Sequence, residues 1–448
     1  MEQQKYSFNY SQDIVNLQTK YSLFKRVANI VFSITFENGF DKSIMEQALQ
    51  LLIERNDCLR ITFVKEGKQT KQYFVPSRKL GKIPSWNLDT PKLLDSFVKN
   101  LRMSAVNVYK GETLVPHFVT GPSGEDMLFV KISHMVADTY GIGVLVNDLQ
   151  AIYNALKNNS ELPPAPGKFE DILRKDQEYR ANDNSTEKDR EFFQNYYGKK
   201  PTNPIYCGIH GNTSDRWLKY KRKGNISLPY LFIKCDTEGY RFVIPAAVTE
   251  KAAAWCEEKK ISMSTFFFYT CPLAASLRND KAPYQLPLEL MNCRATVLDR
   301  KAAGTKVQSL STYVTVDYTK SFDENIAQLF EEQSELYKHT KLTYLEIEAM
   351  QHKLWNYSMI SQITNFSFSF IPMSMPDGIS MQVYSNGKGA LAAYIALMLN
   401  VKTNEIYVNY DIQTQMCSAR ELVEFQNIYL RVIETVIAKS DVPLNDIF

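Results

Sequence analysis

Apolar positions follow two different periods along this chain. Between residues 27 and 36, Val27, Ile30, Val31, Phe32, Ile34 and Phe36 form a run dense enough for a buried strand. After Gly39 the spacing of Ile44, Ala48, Leu51 and Leu52 is that of a helix, and residues 59–64 return to strand. A hairpin is predicted where residues 116–119 and 127–132 flank Gly121-Pro122-Ser123-Gly124, a turn-forming sequence. Its second strand runs directly into His134. Beyond Asp138 the period changes again, because Ile142, Leu145, Val146, Leu149 and Ile152 recur at helical spacing as far as about Leu156. A strand, a loop and a helix therefore follow in that order, with His134 and Asp138 in the loop.

Residues 162–167, Leu-Pro-Pro-Ala-Pro-Gly, cannot continue a helix, and the polar stretch 180–189 is predicted to be an exposed connector. A boundary between two lobes is expected there, giving 1–178 and 179–448. In the second half, 262–277 reads as a buried, aromatic-rich helix and 284–291 as a strand that delivers Asn292, Cys293 and Arg294. Residues 365–370 and 405–410 alternate like strands, and Ala419–Ala438 reads as a closing helix. No repeat of fixed period and no low-complexity tract interrupts the pattern. The mixture of strands and helices makes the class α/β.

With 448 residues, 44% of them hydrophobic, the chain has enough apolar material for two compact cores. Lysine and arginine outnumber aspartate and glutamate by only 52 to 49, a balance that gives no reason to expect a nucleic-acid partner. The seven cysteines are scattered and never form C-x-x-C, so neither a disulfide framework nor a metal site is expected. The first residues lack the apolar core of a signal peptide, and the clean apolar run at 390–399 is about half a membrane span. A soluble cytoplasmic protein with no membrane span is the expectation.

His134 is the strongest chemical candidate. A histidine at the end of a buried strand is held by the sheet yet offered to a crevice, where a proton acceptor can reach a bound nucleophile. Its ordinary pKa lies near neutrality, so a modest environment keeps the imidazole uncharged and basic. Asp138, across the loop, could fix the ring or brace the loop through a distant cation. His117 is expected at a core or edge position on the paired strand. His210, His339 and His352 have no partner at ligand spacing, and Cys293 has only Arg294 nearby to lower its pKa. No G-x-S-x-G elbow, Walker loop or G-x-G-x-x-G fingerprint is present, which argues against hydrolase, nucleotide-dependent and dinucleotide chemistry.

The segment Ser133-His134-Met135-Val136-Ala137-Asp138-Thr139-Tyr140-Gly141 resembles the H-H-x-x-x-D-G motif of nonribosomal peptide synthetase condensation domains. These belong with the chloramphenicol-acetyltransferase-like acyltransferases. Leu51-Leu52-Ile53-Glu54-Arg55-Asn56-Asp57-Cys58-Leu59-Arg60 is similar to their early L-x-x-R-H-x-x-L-R segment. Leu162-Pro163-Pro164 and residues 189–197 resemble the inter-lobe stretch, and Met291-Asn292-Cys293-Arg294 with Val307-Gln308-Ser309-Leu310 resembles the N-R … G-x-F region. Three positions depart from the pattern: Ser133 replaces the first histidine, Thr139 the glycine after the aspartate, and Gln308 a later glycine.

The resemblance implies two chloramphenicol-acetyltransferase-like lobes in a V-shaped pseudo-dimer, with an active-site tunnel between them. It implies His134 as general base and Asp138 paired with Arg294, an ion pair tying the motif loop of one lobe to the other. Ser133 and Gly141 would support the site, while Thr139, Tyr140, Asn365 and Ser367 would meet substrate, the last two as candidate oxyanion donors. The implied reaction joins an acyl thioester, carried on phosphopantetheine or coenzyme A, to an amine. No covalently bound cofactor is expected, and an acyl or peptidyl carrier protein is the expected partner. An ester-forming O-acyltransferase taking an alcohol, and a silent scaffold that binds carrier proteins, are the alternatives. The sequence contains no carrier-attachment G-G-x-S and no adenylation core, so the chain is expected to act on partners in trans or to be part of a larger synthetase.

Overall fold

The computed structural model describes residues 4–448 apart from 23, 68, 202–207, 212–227, 230–234, 295, 359–360, 365, 374 and 390–391. The chain divides into two compact units that interleave along the sequence. The first comprises Met1–Ser185, Asn292–Val307 and Ser374–Asn386, and the second Thr186–Met291, Gln308–Met373 and Gly387–Phe448. Where the sequence pattern suggests one cut between 178 and 179, two short segments of the second half thus belong with the first unit.

The first unit is built on a five-stranded sheet in the order Ile379–Tyr384, Asn29–Phe36, Asp126–Ser133, Leu114–Thr120, Ser85–Asn87. The central hairpin pairs Phe118 with Leu128 and Pro116 with Val130, and Asn29 lies opposite Ser133 on the other side. Alternation of side chains assigns the two faces. Ile30, Phe32, Ile34, Leu128, Val130 and Ile132 pack against the helices Lys42–Arg55 and Thr139–Lys157. On the opposite face Val31, Val119 and Phe129 meet Val98 and Leu101 of the helix Pro91–Met103. The motif strand Asp126–Ser133 is therefore covered on both faces, which fixes the position at which His134 leaves it.

The second unit holds a six-stranded sheet in the order Val307–Ser311, Leu288–Asn292, Ser367–Met373, Ala393–Asn400, Ile406–Gln413, Thr237–Ile244. Residues 393–399 of the apolar run lie in one of its inner strands, Ala393–Asn400. The helices Met263–Arg278 and Ala419–Ala438 cover it with Phe266, Phe267, Phe268, Phe425, Tyr429 and Val432.

Three local expectations are corrected. Residues 180–189 are an exposed connector only in part: 181–184 are exposed and the first unit ends at Ser185, but the helix Asp183–Gly198 runs on through the stretch with Thr186 and Asp189 buried. Asp57–Arg60 is a 3-10 turn, so the strand predicted from residue 59 begins at Ile61. The strand predicted over 284–291 is broken at Leu286-Pro287 into Tyr284–Gln285, which pairs with Val314–Thr315, and Leu288–Asn292, which joins the main sheet.

Candidate active site

The loop after the motif strand is pinned by its own backbone. The His134 N–H donates to the Ala28 carbonyl at 2.6 Å, and the Val136 N–H to the Ser133 carbonyl at 2.8 Å. The Ser133 hydroxyl accepts from the Met135 N–H at 3.2 Å, so Ser133 braces the loop at the position where the resemblance places a histidine. The imidazole of His134 is half-buried. Its Nδ1 is enclosed, with no hydrogen-bond partner among the described residues. Burial pushes the ring below its ordinary pKa, and the nearby charge of Asp138 only partly offsets that push. At neutral pH the ring is an uncharged base.

Asp138 is fully buried, and its carboxylate is held by three hydrogen bonds from structural neighbours. Oδ1 accepts from the Gly141 N–H at 2.7 Å and so caps the helix Thr139–Lys157. Oδ2 accepts from Arg294 Nη1 at 2.9 Å and from the Lys306 N–H at 2.7 Å. Among the described residues no hydrogen bond joins Asp138 to His134, so the carboxylate acts as a brace for the loop and not as a relay to the ring.

Arg294 completes the brace. Nη1 also donates to Asn292 Oδ1 at 2.9 Å, Nη2 donates to the Gly304 carbonyl at 2.8 Å, and the guanidinium lies 4.8 Å from the Tyr140 ring centroid. The Tyr140 hydroxyl donates to the Arg300 carbonyl at 3.2 Å. Tyr140, expected to meet substrate, is thus engaged in holding the segment 292–307. Both partners of the ion pair lie in the first unit, and their bond fastens that segment onto the motif loop.

Two glycines allow the approach. A Cβ on Gly141 would sit 2.4 Å from the Gly304 carbonyl oxygen, and one on Gly304, at φ +109°, would sit 2.2 Å from the Phe169 ring. Gly141 therefore serves contact, not backbone freedom. Thr139 begins the helix with an ordinary backbone, being absent from the residues of positive φ, so nothing in the local path demands the glycine usual there. The Ser367 hydroxyl donates to the Ala393 carbonyl at 3.2 Å inside the second sheet. Asn365 lies outside the described residues.

Sequence reasoning missed several supports. Gly304 and the Lys306 N–H contact Asp138 directly, and the first turn of the helix Tyr10–Tyr21 holds both segments. Asn9 Nδ2 donates to the Thr305 carbonyl at 2.8 Å, and Gln12 Nε2 to the Met135 carbonyl at 3.0 Å. The capping-box pattern of Asn9 and Gln12 was the only available signal. Of the other histidines, His339 Nδ1 meets Asp189 Oδ1 at 2.6 Å, His210 Nδ1 meets the Gly211 carbonyl at 2.7 Å, and His117 accepts from Trp86 Nε1 at 3.3 Å. Among the described residues no group of three or more His, Cys, Asp or Glu is arranged to hold a metal ion, and no helix is long and apolar enough to cross a membrane.

The α/β fold that carries this histidine on a braced strand-to-helix loop is the fold of solved condensation domains. Residues 2–205 match the family model described as Condensation domain. The condensation domain from Monacolin K polyketide synthase MokA shares the fold with a TM-score of 0.82 at 12% identity, over 98% of this chain and 99% of that one. The starter condensation domain of rhizomide synthetase RzmA, in a mutant complex with C8-CoA and Leu-SNAC, gives 0.81 at 13% identity over 99% and 96%. A plipastatin synthase from Bacillus subtilis (strain 168) is 20% identical over 456 residues, 98% of this chain and 16% of the synthase polypeptide. Surfactin synthase subunit 1 of the same organism is 19% identical over 86% of this chain and 10% of that protein. The chain thus spans a small fraction of the length of these curated relatives.

Proposed function

We propose that this chain is a condensation-type acyltransferase that joins an acyl thioester to an amine, with His134 as the proton acceptor. The observation that carries this reading is an uncharged, half-buried imidazole on a loop locked by the buried Asp138–Arg294 pair. The acyl group arrives on phosphopantetheine of a carrier protein or on coenzyme A, in keeping with the C8-CoA and Leu-SNAC bound by the RzmA domain. The amine attacks the thioester carbonyl, and as the C–N bond forms its proton passes to His134. The tetrahedral oxyanion then collapses, the C–S bond breaks, and the thiolate takes the proton from the imidazolium. No covalent enzyme intermediate is required. Asp138 and Arg294 are positioning residues in this scheme, since they touch the loop and not the reacting atoms. Proton transfer by a placed histidine contributes about 10²- to 10⁴-fold, with substrate placement supplying much of the rest.

The test is mass spectrometry of products from octanoyl-CoA with the N-acetylcysteamine thioester of leucine, for the purified chain and for His134→Ala. Amide formation that falls by about 10²-fold or more in the variant supports the reading. Ester formed from alcohol acceptors in preference to amide favours the O-acyltransferase alternative. Turnover unchanged by His134→Ala removes the general-base role.

A further inference from the structure

The helix Phe169–Arg180 begins without a cap of its own. Lys168 stands at the N-cap with an extended backbone, φ −92° and ψ 132°, and its side chain makes no capping bond. Lysine cannot accept a hydrogen bond, so the first N–H groups of the helix need an acceptor from elsewhere. Asp57 supplies it from 112 residues earlier in the chain: Oδ1 accepts from the Phe169 N–H at 2.8 Å and Oδ2 from the Glu170 N–H at 2.9 Å. Asp57 is 6% exposed, and its carboxylate sits at the positive end of the helix. Glu170 turns its own carboxylate to the Tyr6 hydroxyl at 2.8 Å and Asp171 turns its to Arg174 Nη2 at 2.8 Å, so neither acidic residue of the first turn replaces Asp57. Within the segment 51–60 Asp57 occupies a position to which the family resemblance assigns no residue type.

What this cap holds touches the motif loop. Phe169 is fully buried, and its ring lies where a Cβ on Gly304 would come within 2.2 Å, so ring and glycine backbone are in direct contact. The Gly304 carbonyl in turn accepts from the Asp138 N–H at 3.2 Å and from Arg294 Nη2 at 2.8 Å. The chain just before the helix is fastened to the same segment, since the Gly167 N–H donates to the Lys301 carbonyl at 3.0 Å. Met135, Val136 and Ala137 of the motif loop share one apolar core with Phe169 and Cys58. A pair of hydrogen bonds, a ring contact and a shared carbonyl therefore lead from Asp57 to Asp138, all within the first unit.

Without Asp57, two N–H groups at a largely buried helix end lose their acceptor, and the start of the helix has to shift to find another. A close-packed interior passes such a shift to its neighbours. We propose that Asp57 is a positioning residue for His134: by capping the helix Phe169–Arg180 it seats Phe169 against Gly304, and Gly304 holds the loop on which the imidazole stands. Only the effect on turnover rests on the function proposed above.

The readout is the imidazole itself, followed by carbon-13 histidine NMR of the whole chain, with the His134 signal assigned by its loss in His134→Gln. In Asp57→Ala the loosened loop admits water to the ring, and the His134 pKa rises toward 6.5 from its buried value below it. Loss of a negative charge would by itself move the ring downward, so the sign separates a displaced loop from a change of field. Amide formation from octanoyl-CoA and the N-acetylcysteamine thioester of leucine falls about 10- to 100-fold in kcat with KM little changed. Lys168→Asp places an acceptor at the N-cap, and in the Asp57→Ala background it restores both the ring titration and kcat, whereas Lys168→Ala does not. Lys168→Asp alone leaves both as they are in the unaltered protein. Asp57→Asn, which keeps one acceptor oxygen, shows the same two changes in smaller measure and carries the test should Asp57→Ala fail to fold. A folded Asp57 variant with a lowered thermal midpoint and an unmoved or lowered His134 pKa makes Asp57 a cap for its helix and nothing more. A ring titration that Lys168→Asp does not restore overturns the proposal as well, because the cap is then not the route. If the ring follows Asp57 while turnover survives His134→Ala, the positioning stands and the general-base reading falls.

Discussion

The Asp138 carboxylate and the Arg294 guanidinium, 156 residues apart in the chain, meet at 2.9 Å with neither side chain exposed to solvent. Because each is desolvated, removing one strands the other. Asp138→Asn or Arg294→Met should each destabilise the first unit by about 3 to 5 kcal/mol. The double variant should cost less than the sum of the two, since it leaves no lone buried charge. Arg294→Lys should fall between, because an ammonium cannot reach Asp138, Asn292 and the Gly304 carbonyl in the planar geometry of a guanidinium. Hydrogen exchange at residues 134–141 reads this locally, which matters in a chain of two units where one global unfolding energy is not defined. Additive costs, or a motif loop as protected in Arg294→Met as in the unaltered protein, would remove the brace.

The approach of the two glycines makes a sharper steric prediction. Gly141→Ala forces a methyl group against the Gly304 carbonyl oxygen, and Gly304→Ala adds a left-handed backbone to a clash with Phe169. Each should lower stability by about 1 to 3 kcal/mol and weaken catalysis further by displacing the loop. Gly143, in the same helix, has open space where its Cβ would be. Gly143→Ala should therefore stabilise, by up to about 1 kcal/mol. Thermal midpoints of the three variants rank them, and equal effects at 141 and 143 would show that the close approach is not maintained in solution.

For His134 the pH dependence has a definite sign. Burial holds the folded pKa below the ordinary 6.5, so the unfolded chain binds a proton first as the solution is acidified. The folded state therefore loses stability as pH falls through 6.5 toward the folded pKa, and His134→Gln should lack that loss. The acid limb of kcat/KM should likewise lie below 6.5, with a plateau at neutral pH. Asp138 pulls the ring pKa upward through space, so Asp138→Asn should move the acid limb to still lower pH in whatever activity remains. A limb that moves upward in that variant contradicts the electrostatic account.

The strand, loop and helix around His134 were legible because each has a dense apolar pattern with its own period, and the closing helix Ala419–Ala438 was read for the same reason. The helix Asp183–Gly198 escaped because its inward face begins with Thr186 and Asp189, and Asp189 is buried against His339. A polar residue satisfied by a distant partner looks like surface in a sequence. The pairing of Asp138 with Arg294 came from family resemblance and not from pattern, since no local period links residues that far apart. Gly304 was missed because its positive φ and its contacts with Gly141 and Phe169 exist only once three separate segments meet.

Glu289 carries the last prediction, in the second unit. Its carboxylate is 4% exposed and accepts from the Tyr337 hydroxyl at 2.7 Å, Gln333 Nε2 at 3.1 Å and the Thr312 hydroxyl at 3.3 Å, with no cation bonded to it among the described residues. Burial raises its pKa from 4.5 to about 7, and the three hydrogen bonds only moderate the rise. Between those values the folded chain holds a proton that the unfolded chain has released, so stability falls as pH climbs from 4.5 to about 7 and levels off above. The whole drop is on the order of 3 kcal/mol, at 1.36 kcal/mol per pKa unit. Glu289→Gln keeps the carbonyl acceptor and cannot ionise, so it should flatten that slope and leave the second unit more stable than the unaltered protein at pH 8. Glu289→Ala should flatten the slope as well but destabilise at every pH, because Tyr337, Gln333 and Thr312 then lose their acceptor in a buried site. Thermal midpoints from pH 4.5 to 8 separate the two variants, and a slope that persists in Glu289→Gln would assign the titration to another group.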